Sequence, residues 1–178
     1  MKAYSSYGPV EGCTPRSGYV KLNGDTVWEG TWCKEGVENS RGVNILLIDR
    51  STCSVQESRT FDTHFDERAS TELSEYLDQV SGDINIVGVS ADEAMKAMQA
   101  MGLRALERIG VDVSRVKERG SFGFVAHKDR PSETVLQKAL SEEESNENPA
   151  HFTHYVLDGE EGATYCTIEN LTAHMWTN

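Results

Sequence analysis

Three short runs of nearly uninterrupted apolar residues punctuate the chain, each bounded by polar or glycine-containing segments. They are GVNILLID (42–49), INIVGVS (84–90) and SFGFVAH (121–127). A continuous apolar run of this length is typical of a strand that is covered on both faces. The pattern therefore predicts three core strands.

Segments of alternating polar and apolar residues flank these runs. Residues 18–32 alternate around a turn at Asn23-Gly24-Asp25, which predicts a hairpin. Residues 53–62 alternate directly after the first core run, which predicts a second hairpin. The segments 151–159 and 163–176 are expected to be edge strands that return to cover the sheet.

Helical spacing of apolar residues appears in three places. Residues 66–80 predict one helix, and Ser90 or Asp92 is a candidate N-cap for a second, from about 92 to 109. A short amphipathic helix is expected after Pro131. Strands interleaved with helices indicate an α/β or α+β sandwich.

The length of 178 residues, without a repeat or an internal linker, predicts a single globular domain spanning residues 1–178. Within it, residues 129–178 are expected to supply the C-terminal helix, an acidic loop and the edge strands. The composition is 38% hydrophobic and 8% aromatic, which is ordinary for a folded globular protein.

The net charge of the chain limits the kinds of partner that are expected. The net charge is −12, and the basic residues form no cluster, so nucleic acid is not an expected partner. No segment approaches the roughly 20 apolar residues of a spanning helix, so membrane insertion is not expected. The first nine residues contain no apolar stretch, so no secretory signal is visible in the given sequence.

Enzymatic motifs are missing from the sequence. There is no G-x-S-x-G elbow, no phosphate-binding loop and no dinucleotide-binding glycine motif, so no catalytic residue, no cofactor and no enzymatic activity are expected. Asp62, His64 and Asp66 have a spacing that suits a metal on an extended segment, but Asp62 stands where a strand gives way to a loop. Capping is therefore the preferred role, and no metal site is expected.

Three charged residues stand at the ends of the predicted core strands. Arg41 precedes the first run, Asp92 follows the second and Arg119 precedes the third. If these ends share one edge of the sheet, two guanidinium groups and a carboxylate can bind hydroxyl or carbonyl groups of a ligand. Alternatively, an Arg–Asp pair is a structural clasp, and strand starts and strand ends can lie at opposite edges. The sequence leaves both interpretations open.

Several motifs, in this order, resemble the interleukin-like EMT inducer domain, also called the GG domain. The resemblance spans residues 17–128 and is carried by VKLNG (20–24), RGVNILLID (41–49), FDT (61–63), IVGVSADEA (86–94), ALERIGV (105–111) and RGSFGFVAHK (119–128). It implies an α+β fold in which two β-sheets pack together with helices outside. It also implies a non-enzymatic role.

Members of the family serve in sugar recognition, in signalling and in structural contacts. By resemblance to the sugar-binding stem of a transferase, the ligand-binding residues are Arg41, Asp92 and Arg119. Phe122 is counted with them as the aromatic residue that stands where the family commonly has tryptophan, and Gly120 stands where it commonly has aspartate. The implied partner is a glycan or glycoprotein, such as one with a β-linked N-acetylhexosamine, at one rim of the sheet.

The resemblance also implies structural disulfides in secreted members, and Cys13–Cys33 matches one of them. Cys166 lies near a C-terminal family cysteine, whereas Cys53 has no counterpart. An extracellular or cell-surface location is favoured on this basis. Alternatives are a structural subunit of a larger particle, such as a phage tail fibre with protein subunits as partners, and a cytokine-like secreted ligand.

Overall fold

The computed structural model describes residues 13–33, 40–141, 143–144, 150–156 and 166–172. These residues form nine strands and two α-helices. In chain order they are β1 (Cys13–Leu22), β2 (Asp25–Cys33), β3 (Gly42–Asp49), β4 (Ser54–Phe61), α1 (Ala69–Gln79), β5 (Ile84–Ala91), α2 (Ala100–Arg108), β6 (Ser121–Ala126), β7 (Val135–Ala139), β8 (Ala150–Val156) and β9 (Cys166–Thr172).

The strands form two antiparallel sheets. The smaller sheet has the order β2-β1-β9-β8, and the larger has the order β4-β3-β5-β6-β7. Both helices contribute to the core on one face of the larger sheet, and the smaller sheet covers its other face. The predicted single α+β domain of two packed sheets with helices outside is confirmed.

The central strands of the larger sheet are apolar on both faces, as their continuous runs predict. One set of side chains packs against the helices, and it includes Val43, Ile45, Ile86, Phe122 and Phe124. The alternate set packs against the smaller sheet, and it includes Leu46, Ile48, Val87, Val89 and Val125. A sheet between two layers has no polar face, so the strands do not alternate in polarity.

The predicted helix over 92–109 is wrong in its first half. Helix α2 begins only at Ala100. Asp92 has φ 56°, in the left-handed region that a right-handed helix excludes. Ser90 is not a cap, because it belongs to β5 and its Oγ accepts a hydrogen bond from the backbone N–H of Phe122 at 2.8 Å.

Two C-terminal predictions also need correction. The segment after Pro131 is the strand β7, which pairs with β6 along Val135–Ala139, so sheet pairing overrides the helical spacing of its apolar residues. Strand β9 is not an edge strand, because it lies between β1 and β8. Strand β8 is at the edge, as expected.

No helix in the described part of the chain combines the length and the apolar character that crossing a bilayer requires.

Candidate functional site

The antiparallel pairing of β3, β5 and β6 brings one end of each strand to the same end of the larger sheet. Gly42 at the start of β3 pairs with Ala91 at the end of β5. Strand β6 runs antiparallel to β5, so its start lies at the same edge. Just outside these strand ends lie the three candidate residues Arg41, Asp92 and Arg119. The end of the sheet that they share is called the rim below.

Arg41 is held at the rim by Asp62. Its Nε donates to Asp62 Oδ1 at 3.0 Å, and its Nη2 donates to Asp62 Oδ2 at 2.5 Å. The side chains of Arg41 and Asp62 remain 26% and 36% exposed, so this pair is accessible to solvent. Arg41 is therefore clasped by Asp62, a carboxylate outside the three candidate residues, so this pair is not the Arg–Asp clasp that the sequence suggested.

Asp92 also acts on Arg41 electrostatically. The hydrogen bonds to Asp62 raise the pKa of Arg41, burial lowers it, and the negative charges of Asp62 and Asp92 raise it further. Two carboxylates thus stabilise one partly buried guanidinium. A guanidinium with both its orientation and its charge set in advance is suited to binding a carbonyl or hydroxyl oxygen.

Glu93 connects the end of β5 to the start of β6. It is only 4% exposed, and its Oε1 accepts a hydrogen bond from the backbone N–H of Met95 at 2.6 Å. Its Oε2 accepts another from the backbone N–H of Arg119. This carboxylate therefore holds the backbone of Arg119 next to Glu93, the residue that follows Asp92.

Asp92 and Arg119 both have backbones in the left-handed region, with φ 56° and 61°. This conformation is uncommon for residues other than glycine, and an arginine there is more unusual than an aspartate. Uncommon backbone conformations persist only where the surroundings hold them, and such residues concentrate at functional sites. At the rim, the hydrogen bonds of Glu93 provide part of that restraint.

His64 lies on the loop after Asp62 and is partly buried. Its Nδ1 is buried and has no hydrogen-bond partner among the described residues. Burial lowers the pKa of His64, as do the positive charges of Arg41 and Lys96, whereas Asp92 and Glu93 oppose this shift. The rim thus favours a neutral imidazole.

We expect this histidine to make stability depend on pH. The pKa of His64 in the folded chain lies below its usual 6.5, so the unfolded chain binds more protons when the pH falls below that value. The contribution of His64 is complete above pH 6.5 and is lost as the pH falls towards the folded-state pKa. Between about pH 7.5 and about pH 5.5, wild type should therefore lose more free energy of unfolding than H64Q, as measured by urea denaturation. Equal losses would contradict this expectation.

Phe122 is placed differently from the other candidate ligand residues. It is 0% exposed and packs with Phe124 in the core between the sheet and the helices. Alternation along β6 puts both rings on this inner face. Phe122 is therefore not available to a ligand at the rim, and its inclusion in the site is corrected.

The structure explains why residue 120 is glycine and not the aspartate that is common in the family. A Cβ added at this position would lie 2.6 Å from the carbonyl oxygen of Ala139 and 2.7 Å from a methyl group of Val116. No side chain fits there without movement of the end of β7. The carboxylate at this position is thus excluded by packing in this chain.

The structure joins Cys53 to Cys166 in a disulfide, with their Cα atoms 5.4 Å apart. Cys13 and Cys33 face each other as paired positions of β1 and β2. Directly opposed residues of an antiparallel pair are within the Cα separation of a disulfide. The Cys13–Cys33 bond remains a prediction, because their side chains lie outside the described residues.

Three residues of the rim were not assigned to it by sequence reasoning. Asp62 was assigned to capping, and its Oδ1 does accept a hydrogen bond from the backbone N–H of Phe65 at 3.3 Å, but it also binds Arg41. Glu93 was noted only as part of the IVGVSADEA motif, and His64 only as a candidate metal ligand with Asp62 and Asp66. In the described part of the chain, no group of three or more potential ligands could hold a metal ion.

Comparison with known proteins agrees with the motifs. No curated protein matches the chain. A family model described as "Interleukin-like EMT inducer" matches residues 41–130, just over half of the 178-residue chain. The match starts at Arg41 and contains the whole rim, whereas residues 17–40 of the resemblance lie outside it. The chain belongs to the interleukin-like EMT inducer family.

Proposed function

We propose that the chain is a non-enzymatic, carbohydrate-binding module that recognises a β-linked N-acetylhexosamine at the rim. The observation that carries this proposal is the convergence of Arg41, Asp92 and Arg119 at one sheet edge, at the positions that the family resemblance assigns to sugar binding. Arg41 would donate hydrogen bonds to the acetamido carbonyl or to hydroxyl oxygens. Asp92 would accept hydrogen bonds from hydroxyl or amide groups.

An extracellular setting is part of the proposal. Proteins of this family are typically secreted. The Cys53–Cys166 disulfide supports the same setting, because structural disulfides persist in oxidising compartments. Glycans are abundant on that side of the membrane, so the proposed ligand and the proposed compartment agree.

The test is a glycan array followed by affinity measurements on the variants R41K and D92N. R41K keeps the positive charge but removes the two-pronged guanidinium, and D92N removes the charge while asparagine tolerates the left-handed backbone. Each variant should lose about tenfold or more in affinity, since a hydrogen bond to a charged group contributes about 1.5–3 kcal/mol.

A matched control uses an arginine away from the rim. Arg108 donates to Asp78 at 2.8 Å on the surface of the two helices, so R108K should bind as wild type does. Thermal stability of all variants should be compared, so that a loss of fold is not taken for a loss of ligand contact. A wild-type protein that binds no glycan would refute the proposal and direct the search to protein partners.

A further inference from the structure

Phe65 is an exposed aromatic residue beside the rim. It is 79% exposed, and in the part of the chain that the structure describes Met101, at 43%, is the other large hydrophobic residue that is exposed. Leaving a ring in water forgoes the stabilisation of its burial. An exposed aromatic ring beside a cluster of charged groups is a common feature of binding surfaces.

Phe65 is held by the same carboxylate as Arg41, through its main chain and not through its ring. Its backbone N–H donates to the backbone oxygen of Asp62 at 3.2 Å and to the Asp62 Oδ1 at 3.3 Å. The next link is the hydrogen bond from the Ala97 N–H to the Thr63 oxygen at 2.8 Å, which joins this loop to the segment after Asp92. The start of the loop that carries Phe65 is therefore bound both to Arg41, through Asp62, and to the segment after Asp92, through Thr63.

The geometry determines where a sugar ring can stack. The guanidinium carbon of Arg41 lies 5.8 Å from the centre of the Phe65 ring. Packing contacts need about 3.5–4 Å on each side of an inserted ring, so no sugar fits between the two groups. A sugar that stacks on the Phe65 ring therefore uses the face that points away from the Arg41 guanidinium.

We propose that Phe65 forms a second sugar subsite, which holds the unit adjacent to the one bound by Arg41, Asp92 and Arg119. This inference rests on the function proposed above and specifies its ligand as a β-linked oligosaccharide rather than a single sugar. A β-linked gluco-configured pyranose has axial C–H groups on both faces, and such a face packs on an aromatic ring. Phe65 supplies this apolar contact from a different loop, since Phe122 is buried.

The test compares a methyl β-N-acetylglucosaminide with the corresponding β-1,4-linked disaccharide, each titrated into the full chain and followed by amide chemical shifts. Wild type should bind the disaccharide about three- to tenfold more tightly, the gain that one aromatic contact provides. The F65A variant should lose this preference and keep its affinity for the monosaccharide. F65W should retain the preference, and M101A serves as the control for removing an exposed hydrophobic side chain.

The outcomes separate the two proposals. Suppose that wild type binds the monosaccharide. If it then shows no preference for the disaccharide, or if F65A keeps that preference, the second subsite is refuted while the site at the rim stands. If F65A weakens both sugars equally, Phe65 belongs to the first subsite and the inference is again refuted. If wild type binds neither sugar, both proposals are refuted. Because Phe65 is largely exposed, F65A should keep the melting temperature of wild type.

Discussion

Replacing Gly42 by alanine is expected to lower the free energy of unfolding by about 3 kcal/mol or more. Gly42 has φ 100°, which side chains rarely adopt. A Cβ at this position would also lie 2.1 Å from the carbonyl oxygen of Phe61 and 2.7 Å from the backbone nitrogen of Thr63. Both neighbours are main chain, so neither can rotate away, and the end of β4 would have to separate from β3.

Gly24 offers a matched control for the backbone conformation alone. It has φ 89°, but a Cβ there would meet no atom within 4 Å. G24A should therefore cost only about 1–2 kcal/mol, the cost of the left-handed conformation. Urea denaturation of both variants measures how much unfolding free energy each one loses. The difference between the two losses is the cost of the Cβ collision at Gly42. If both variants lose the same free energy of unfolding, the close packing of β3 against the end of β4 does not explain the glycine at position 42.

Removing the Cys53–Cys166 disulfide is expected to lower the free energy of unfolding by about 2–4 kcal/mol. The bond links the turn between β3 and β4 to the start of β9, so it joins the two sheets across 113 residues of sequence. A crosslink over so long a loop removes much of the freedom of the unfolded chain. Cys166 is also 1% exposed and belongs to the core between the sheets.

The experiment should isolate this bond from any other. In a C13S/C33S background, reductant acts on the Cys53–Cys166 pair alone, because the chain has four cysteines. Urea denaturation with and without reductant then measures its contribution, and peptide mapping without reduction identifies the linked pair. A midpoint of unfolding that reductant leaves unchanged would contradict the prediction.

The core strands were predictable because burial on both faces leaves a direct mark on the sequence. The segments around 42–49, 84–90 and 121–127 are β3, β5 and β6, and the hairpins at 18–32 and 42–62 are also present. The segments with mixed signals were predicted less well. Residues 135–139 have apolar spacing that suits a helix, yet a free edge of β6 was available for pairing, and a single sequence does not show that edge.

Of the candidate site, the three charged residues at the strand ends were predictable as candidates, but their contacts were not. Arg41, Asp92 and Arg119 were identified by their positions at strand ends and by the family motifs. Their meeting at one rim depends on β3, β5 and β6 being antiparallel neighbours, which strand patterns do not specify. Phe122 was assigned to the rim by analogy, but the alternation of β6 turns it inward.

The sequence by itself determined the three apolar strands and the family, because burial of a strand on both faces and the order of motifs are visible locally along the chain. Only the tertiary structure decided which carboxylate holds Arg41, which cysteines pair across the sheets and which aromatic ring stays in solvent. Asp62 and Arg41 are 21 positions apart, and Cys53 and Cys166 are 113 apart. Contacts over such separations follow from the packing of the two sheets and the helices, and no local pattern encodes them.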